Sequence, residues 1–143
     1  MRFEELELGQ SAEFGKTISS EDVALFAQIT GDFNPVHLDE AAAAKSLFGG
    51  RIAHGMLTAG LISATLAGKL PGPGSVYLSQ TLRFTAPVRI GDTVTARVEV
   101  IEMIVPKRRV RLSTVCRNQN GDKVVDGEAI VLVPEPADSA SAI

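Results

Sequence analysis

Between Ala41 and Gly91 the chain carries no Asp or Glu. Inside that span lies HGMLTAGLISATLAGK, His54 to Lys69, apolar or small at nearly every position. A helix without a polar face has no side to turn to water, so it is predicted to be buried. Gly55, Ala59, Gly60, Ala64 and Ala67 leave room for a sheet to approach closely. PGPG, Pro71 to Gly74, then breaks the chain. Whatever else this sequence forms must wrap that helix.

The sequence downstream supplies the wrapping. Strands are predicted over about 75–84, 93–105, 108–117 and 123–133. The second alternates, with Val94, Ala96, Val98 and Val100 inward and Thr95, Arg97 and Glu99 outward. In the third, Val110, Leu112, Thr114 and Cys116 share one face. Asn118-Gln119-Asn120-Gly121 is a hairpin signal between the last two. Upstream, residues 13–18 read as a short strand. Ser19 or Ser20 is placed to cap a helix, with Glu21 and Asp22 in its first turn and Val23, Phe26, Ala27 and Thr30 at helical spacing. That helix stops near Gly31. Pro35 interrupts, and Asp39 opens a second short helix, EAAAAKSLF, which Gly49-Gly50 ends. Helices first and an antiparallel meander second make an α+β fold in which a sheet covers one buried helix.

The 143 residues fit one domain, read as 1–134, with a small, proline-bearing flexible tail over 135–143. A net charge of −3 gives no sign of a nucleic-acid surface. Cys116 is the single cysteine, which points to a reducing, cytoplasmic setting and offers no disulfide or metal knuckle. The start, MRFEELELGQ, lacks the apolar stretch of a signal peptide. The longest apolar run is too short to span a bilayer, so no membrane is expected.

Chemistry has two places to live. In GDFNPVH, Gly31 to His37, an acid, an amide and an imidazole fall within six positions around a proline. Asp-x-Asn-Pro is a good turn former, and a satisfied polar turn accounts for it. The alternative is proton transfer, which wants a carboxylate and an imidazole near one water on stiff, buried backbone. The second place is His54-Gly55, at the start of the apolar helix. The first N–H groups of a helix lack internal acceptors and lie at the positive end of its dipole, so an oxygen gaining charge is stabilised there. The bland alternative is a tight turn into a buried helix.

Other features read as structural. Asp32 with the two histidines has no zinc-like spacing, so no metal is expected. Lys107-Arg108-Arg109 reads as the solvated tip of a hairpin, with contact to a nucleotide phosphate as the alternative. Cys116 reads as a small core filler. Ser63 has no base beside it in sequence and is a poor nucleophile.

FAQITGDFNPVHLDEAAAA, Phe26 to Ala44, resembles the (R)-specific enoyl-CoA hydratase signature of MaoC-like hot-dog proteins. IAHGML, Ile52 to Leu57, resembles that family's helix-start motif, and SQTLRFTAPVRIGD, Ser79 to Asp92, its strand-and-turn segment. The likeness spans the chain up to about Pro134 and is nearest to the short bacterial hydratases that supply polyhydroxyalkanoate synthesis. It implies a hot-dog fold and a homodimer with its sheets joined edge to edge. It also implies hydration of a trans-2-enoyl thioester of coenzyme A to the (3R)-hydroxyacyl thioester, with no cofactor. Asp32 and His37 would then be the catalytic pair, and the Gly55 N–H would meet the thioester oxygen. Asn34 would shape the bend. Ser63 would line the acyl pocket or touch the catalytic carboxylate, with Leu57 also substrate-binding.

Three other readings stand beside this one. A hot-dog thioesterase would want a carboxylate on or beside the central helix, which the acid-free span from Ala41 to Gly91 withholds. Dehydration of a hydroxyacyl group on acyl carrier protein, and non-catalytic binding of acyl-CoA in a larger assembly, remain open.

Overall fold

The computed structural model describes residues 1–136; of the predicted tail, 137–143 lie outside the described residues. Strand β1 (Ser11–Thr17) leads into helix α1 (Ser20–Thr30). Ser19 caps α1: its hydroxyl accepts from the Asp22 N–H, and the Asp22 carboxylate accepts from the Ser19 N–H. Gly31 ends α1 with φ 81°, a left-handed conformation that glycine adopts without strain. Two short helices follow, α2 (Pro35–Leu38) and α3 (Glu40–Ala44). Pro35 does not merely interrupt. It begins α2 at the first helical position, where its missing N–H costs nothing. Asp39 caps α3 as expected, but α3 closes at Ala44, short of the predicted Phe48.

The long apolar helix is α4 (Gly55–Gly68). Strands β2 (Val76–Gln80), β3 (Arg83–Phe84), β4 (Thr93–Ile104), β5 (Arg109–Arg117) and β6 (Lys123–Leu132) complete the structure. The single strand predicted over 75–84 is therefore two, separated at Thr81-Leu82. All pairings are antiparallel, and the order is β1-β4-β5-β6-β2, with β3 also on β6. This is not the simple meander of the sequence reading. β2 crosses to the far side of β6, and β1 takes the place beside β4.

The inner face of the sheet is the alternating set already named. Val94, Ala96, Val98, Val100, Val110, Leu112 and Cys116 are all buried. Against them α4 packs Thr58, Leu61, Ile62, Thr65 and Leu66. Burial of α4 is not complete, however. Met56, Gly60, Ser63, Ala64 and Ala67 form an exposed stripe along its other side. One sheet covers one face of a helix, and among the described residues no element reaches the exposed stripe on the second face. Among the described residues no helix is long and apolar enough to cross a membrane.

The turn at Lys107-Arg108-Arg109 is also not a solvated tip. Arg108 folds back onto the start of the chain, where its guanidinium lies 5.3 Å from the Phe3 ring centroid and 2.6 Å from a Glu4 carboxylate oxygen. Its Nε donates to the Val133 carbonyl. This arginine ties two chain ends together.

Candidate active site

The bend between α1 and α2 is built locally. The Asp32 carboxylate accepts from the Asn34 N–H at 3.2 Å, and the Asn34 side-chain oxygen caps α2 by accepting from the Val36 N–H at 3.2 Å. Asn34 thus shapes the loop through its own cap, which leaves its oxygen facing backbone. The bend presents Asp32 on the outside, exposed, and His37 on the inside, only 8% exposed. The carboxylate is more open than the proton-transfer reading of the bend anticipated, because none of the described residues covers the far side.

His37 is fixed by the extended segment that precedes α4. Ile52 donates its N–H to the Val36 carbonyl, and Arg51 Nε donates to the His37 carbonyl at 2.7 Å. The His37 ring returns the contact, Nδ1 to the Ile52 carbonyl oxygen at 2.7 Å. A carbonyl only accepts, so Nδ1 carries the proton. In the neutral ring Nε2 is then a bare acceptor. That is the state required to accept a hydrogen bond from a water and so orient it.

The same segment delivers His54. Its ring stacks on His37 with centroids 3.9 Å apart, and Nε2 donates to the Asp32 backbone carbonyl at 3.0 Å. A carboxylate oxygen of Asp32 and one ring nitrogen from each histidine all lie within 4.8 Å of one another. Spacing in the sequence hides this trio; the fold assembles it. These three residues are the ones that could hold a metal ion, but one nitrogen of each ring already serves a backbone carbonyl.

Gly55 follows directly as the first residue of α4, so its N–H has no acceptor within the helix. The Phe84 ring lies against it so closely that an added Cβ would sit 2.6 Å from a ring carbon. Gly55, Phe48, Thr58 and Phe84 line a cavity of about 320 Å³. Ser63 lies elsewhere. It is exposed and helps line a second cavity of about 470 Å³ between α4 and β2, together with Met56, Gly60, Tyr77 and Leu78. Among the described residues it makes no hydrogen bond to Asp32. Leu57 lines neither cavity and packs toward the core instead.

One site residue, Arg51, escapes the sequence reading. The sequence places His54 with Gly55 at the helix start, and with Asp32 and His37 as a trio without zinc-like spacing, but does not reveal that His54 reaches Asp32. A signal was present: it stands at a helix N-cap where Ser, Thr, Asp or Asn is usual, and its side chain makes no capping bond. Arg51 gave no signal, since its role depends on which carbonyl the fold sets before it.

Known proteins resemble this chain over most of its length. The chain is 60% identical over 134 residues to the 3-hydroxybutyryl-CoA dehydratase of Methylorubrum extorquens, covering 93% of this chain and 84% of that one. It is 52% identical to the (R)-specific enoyl-CoA hydratase of Rhodospirillum rubrum, covering 92% and 91%. The solved (R)-hydratase from A. caviae involved in PHA biosynthesis superposes with a TM-score of 0.88 at 47% identity, covering 91% of this chain and 98% of that one. The model for the MaoC like domain matches residues 4–125, a span that holds the bend, the histidine pair and all of α4. With α4, the site and strands β1 to β5 within that match, the chain belongs to the MaoC-like family of hot-dog proteins.

Proposed function

We propose that this chain is an (R)-specific enoyl-CoA hydratase, a hydro-lyase that adds water to trans-2-enoyl-CoA and gives (3R)-hydroxyacyl-CoA. One observation carries the reading: the Nδ1 proton of His37 is committed to the Ile52 carbonyl, which leaves Nε2 a ready acceptor on a ring that has a nitrogen within 4.8 Å of an Asp32 carboxylate oxygen. A water held between the two is oriented by His37 and deprotonated by Asp32. Its oxygen attacks the β-carbon, the C=C electron pair moves toward the carbonyl, and charge collects on the thioester oxygen. The Gly55 N–H at the positive end of α4 receives that oxygen. Protonation of the α-carbon completes the addition. Dehydration is the same path reversed, as the name of the 60% identical relative implies for that protein. The addition transfers no electrons, so the proposal calls for no cofactor, and coenzyme A is part of the substrate. A thioesterase reading fits less well, because α4 carries no carboxylate.

Residues 1–134 are the catalytic domain in this proposal, working in the cytoplasm as a homodimer. The bare edge at β2 and the exposed stripe of α4 border the same cavity, so a second copy docked there would cover both. Ser63 then faces the acyl chain. A role in PHA supply is in keeping with the A. caviae structure.

The test follows loss of the conjugated enoyl-thioester absorbance. Asp32→Asn and His37→Gln are each expected to slow hydration about 10²–10⁴-fold. Near-normal rates in both folded variants overturn the proposal. Free-thiol release in place of hydration would favour the thioesterase.

A further inference from the structure

His54 is 2% exposed and lies at the junction of three elements. One side of its ring meets Phe26 of α1 at 4.7 Å between centroids; the other stacks on His37 of α2 at 3.9 Å, 30° from parallel. Its own backbone precedes Gly55 of α4. Packing alone does not call for an imidazole here. Among the described residues the buried Nδ1 has no hydrogen-bond partner, a penalty that phenylalanine or leucine in the same space would avoid. Capping does not call for one either, since the side chain makes no capping bond. What only a nitrogen at this position supplies is the Nε2–H bond to the Asp32 carbonyl.

That bond matters because Asp32 is otherwise held only by neighbours. Its N–H donates to the Thr30 hydroxyl and its carboxylate accepts from the Asn34 N–H, both two residues away. His54 is 22 residues away and is Asp32's one long-range hydrogen-bond partner among the described residues. The same ring limits where the His37 imidazole can lie. We infer that His54 is a positioning residue: by clamping the Asp32 carbonyl and stacking on His37, it sets the separation of the carboxylate and the imidazole that share the water. This rests on the hydratase reading. Its function is geometric, and displacement of a reacting group by about 1 Å costs on the order of 10²-fold in rate.

Three variants separate the ring from its N–H. His54→Phe keeps the aromatic packing and loses the donor. His54→Gln places an amide N–H where Nε2 stood. His54→Asn offers an amide that falls about one bond short. Hydration of trans-2-butenoyl-CoA is expected to show a kcat about 10²-fold lower for His54→Phe with KM within about threefold of wild type. His54→Gln is expected to recover most of that loss and His54→Asn little. In an Asp32→Asn background, His54→Phe is expected to add less than about a threefold further loss, because the group it positions is gone. Wild-type kcat in His54→Phe, or its full effect on top of Asp32→Asn, overturns the inference. If His54→Phe does not fold, equal kcat for the Gln and Asn variants overturns it. Amide hydrogen exchange gives a readout independent of turnover. The Asn34 and Val36 amides are expected to exchange faster in the Phe and Asn variants than in wild type or the Gln variant, and unchanged exchange in both also overturns the inference. A wild-type protein that hydrates no enoyl thioester while these exchange differences persist would reject the hydratase reading and leave the clamp intact.

Discussion

At one edge of the sheet, β1 shows water Glu13 and Lys16; at the other, β2 shows Val76, Tyr77 and Leu78, each more than 40% exposed. Both are terminal strands with unpaired backbone, yet only the first is protected. Glu13 pairs with Arg97 at 3.5 Å, and Lys16 reaches Asp22 of α1 at 3.1 Å, so charged side chains flank the β1 edge. The β2 edge has an irregular register at Tyr77–Ser79 and a cavity at its back, and its exposed residues are apolar. Charge on an edge strand discourages a further strand from adding, and bare apolar edges invite one. The difference says which edge the proposed second copy would use.

The sharpest way to break the comparison is to put one new charge on each edge in turn. Leu78→Lys is expected to turn a two-chain particle into one of 15.1 kDa by light scattering, whereas Ser11→Lys on β1 leaves the mass unchanged. Equal masses for the two variants would remove the distinction. Next in size is a backbone effect. A Cβ at Gly127 of β6 would sit 1.8 Å from the Thr81 carbonyl oxygen, where the chain passes between β2 and β3. Gly127→Ala is expected to lose about 3 kcal/mol or more in denaturant unfolding. On the opposite side, a Cβ at Gly15 would meet the Thr95 hydroxyl at 3.1 Å. A side-chain hydroxyl can give way, so Gly15→Ala is expected to stay within about 1 kcal/mol of wild type.

A smaller effect belongs to the charged side alone. The Ser19 N–H, helped by Lys16, holds the Asp22 carboxyl below its ordinary range. A depressed acid contributes stability above its unfolded value, near 3.8, and loses it as pH falls through the folded value. Asp22→Asn is therefore expected to lower Tm at neutral pH, with the gap to wild type closing as the pH falls below 3.8 and through the lowered folded value. A gap that does not change with pH would assign the effect to packing. Between the two edges, burial pushes the Cys116 thiol up to about 12. Native protein at pH 8 is expected to resist iodoacetamide over hours and to react fully once unfolded; rapid native labelling would mean that the centre of the sheet opens.

Much of this was readable residue by residue. Alternation in β4 and β5 named the inner face because successive strand side chains point to opposite sides, a rule that needs no partner. Ser19, Gly31 and Asp39 marked helix ends because capping is satisfied within a few residues. The motif from Phe26 to Ala44 led to Asp32 and His37 by resemblance, and the fold brings the two together with His54. Misreadings fell where a distant segment decides. Arg108 looked solvated until Phe3 and Glu4 came to it from the other end of the chain. α4 looked buried all round because its composition is uniform, and composition does not say that one sheet covers only one face. Leu57 and Ser63 share that helix yet turn to different sides.

By itself the sequence determined the long helices, the inward sets of β4 and β5 and the polar bend, because propensity, capping and alternation act over a few residues. Tertiary structure alone decided that β1 rather than β2 lies beside β4, that the Ile52 carbonyl sets the tautomer of His37, and that His54 bridges to Asp32. Those outcomes depend on groups 15 to 22 residues apart, or on strands at opposite ends of the chain, meeting at hydrogen-bond distance. Only the packing of helix on sheet fixes such distances.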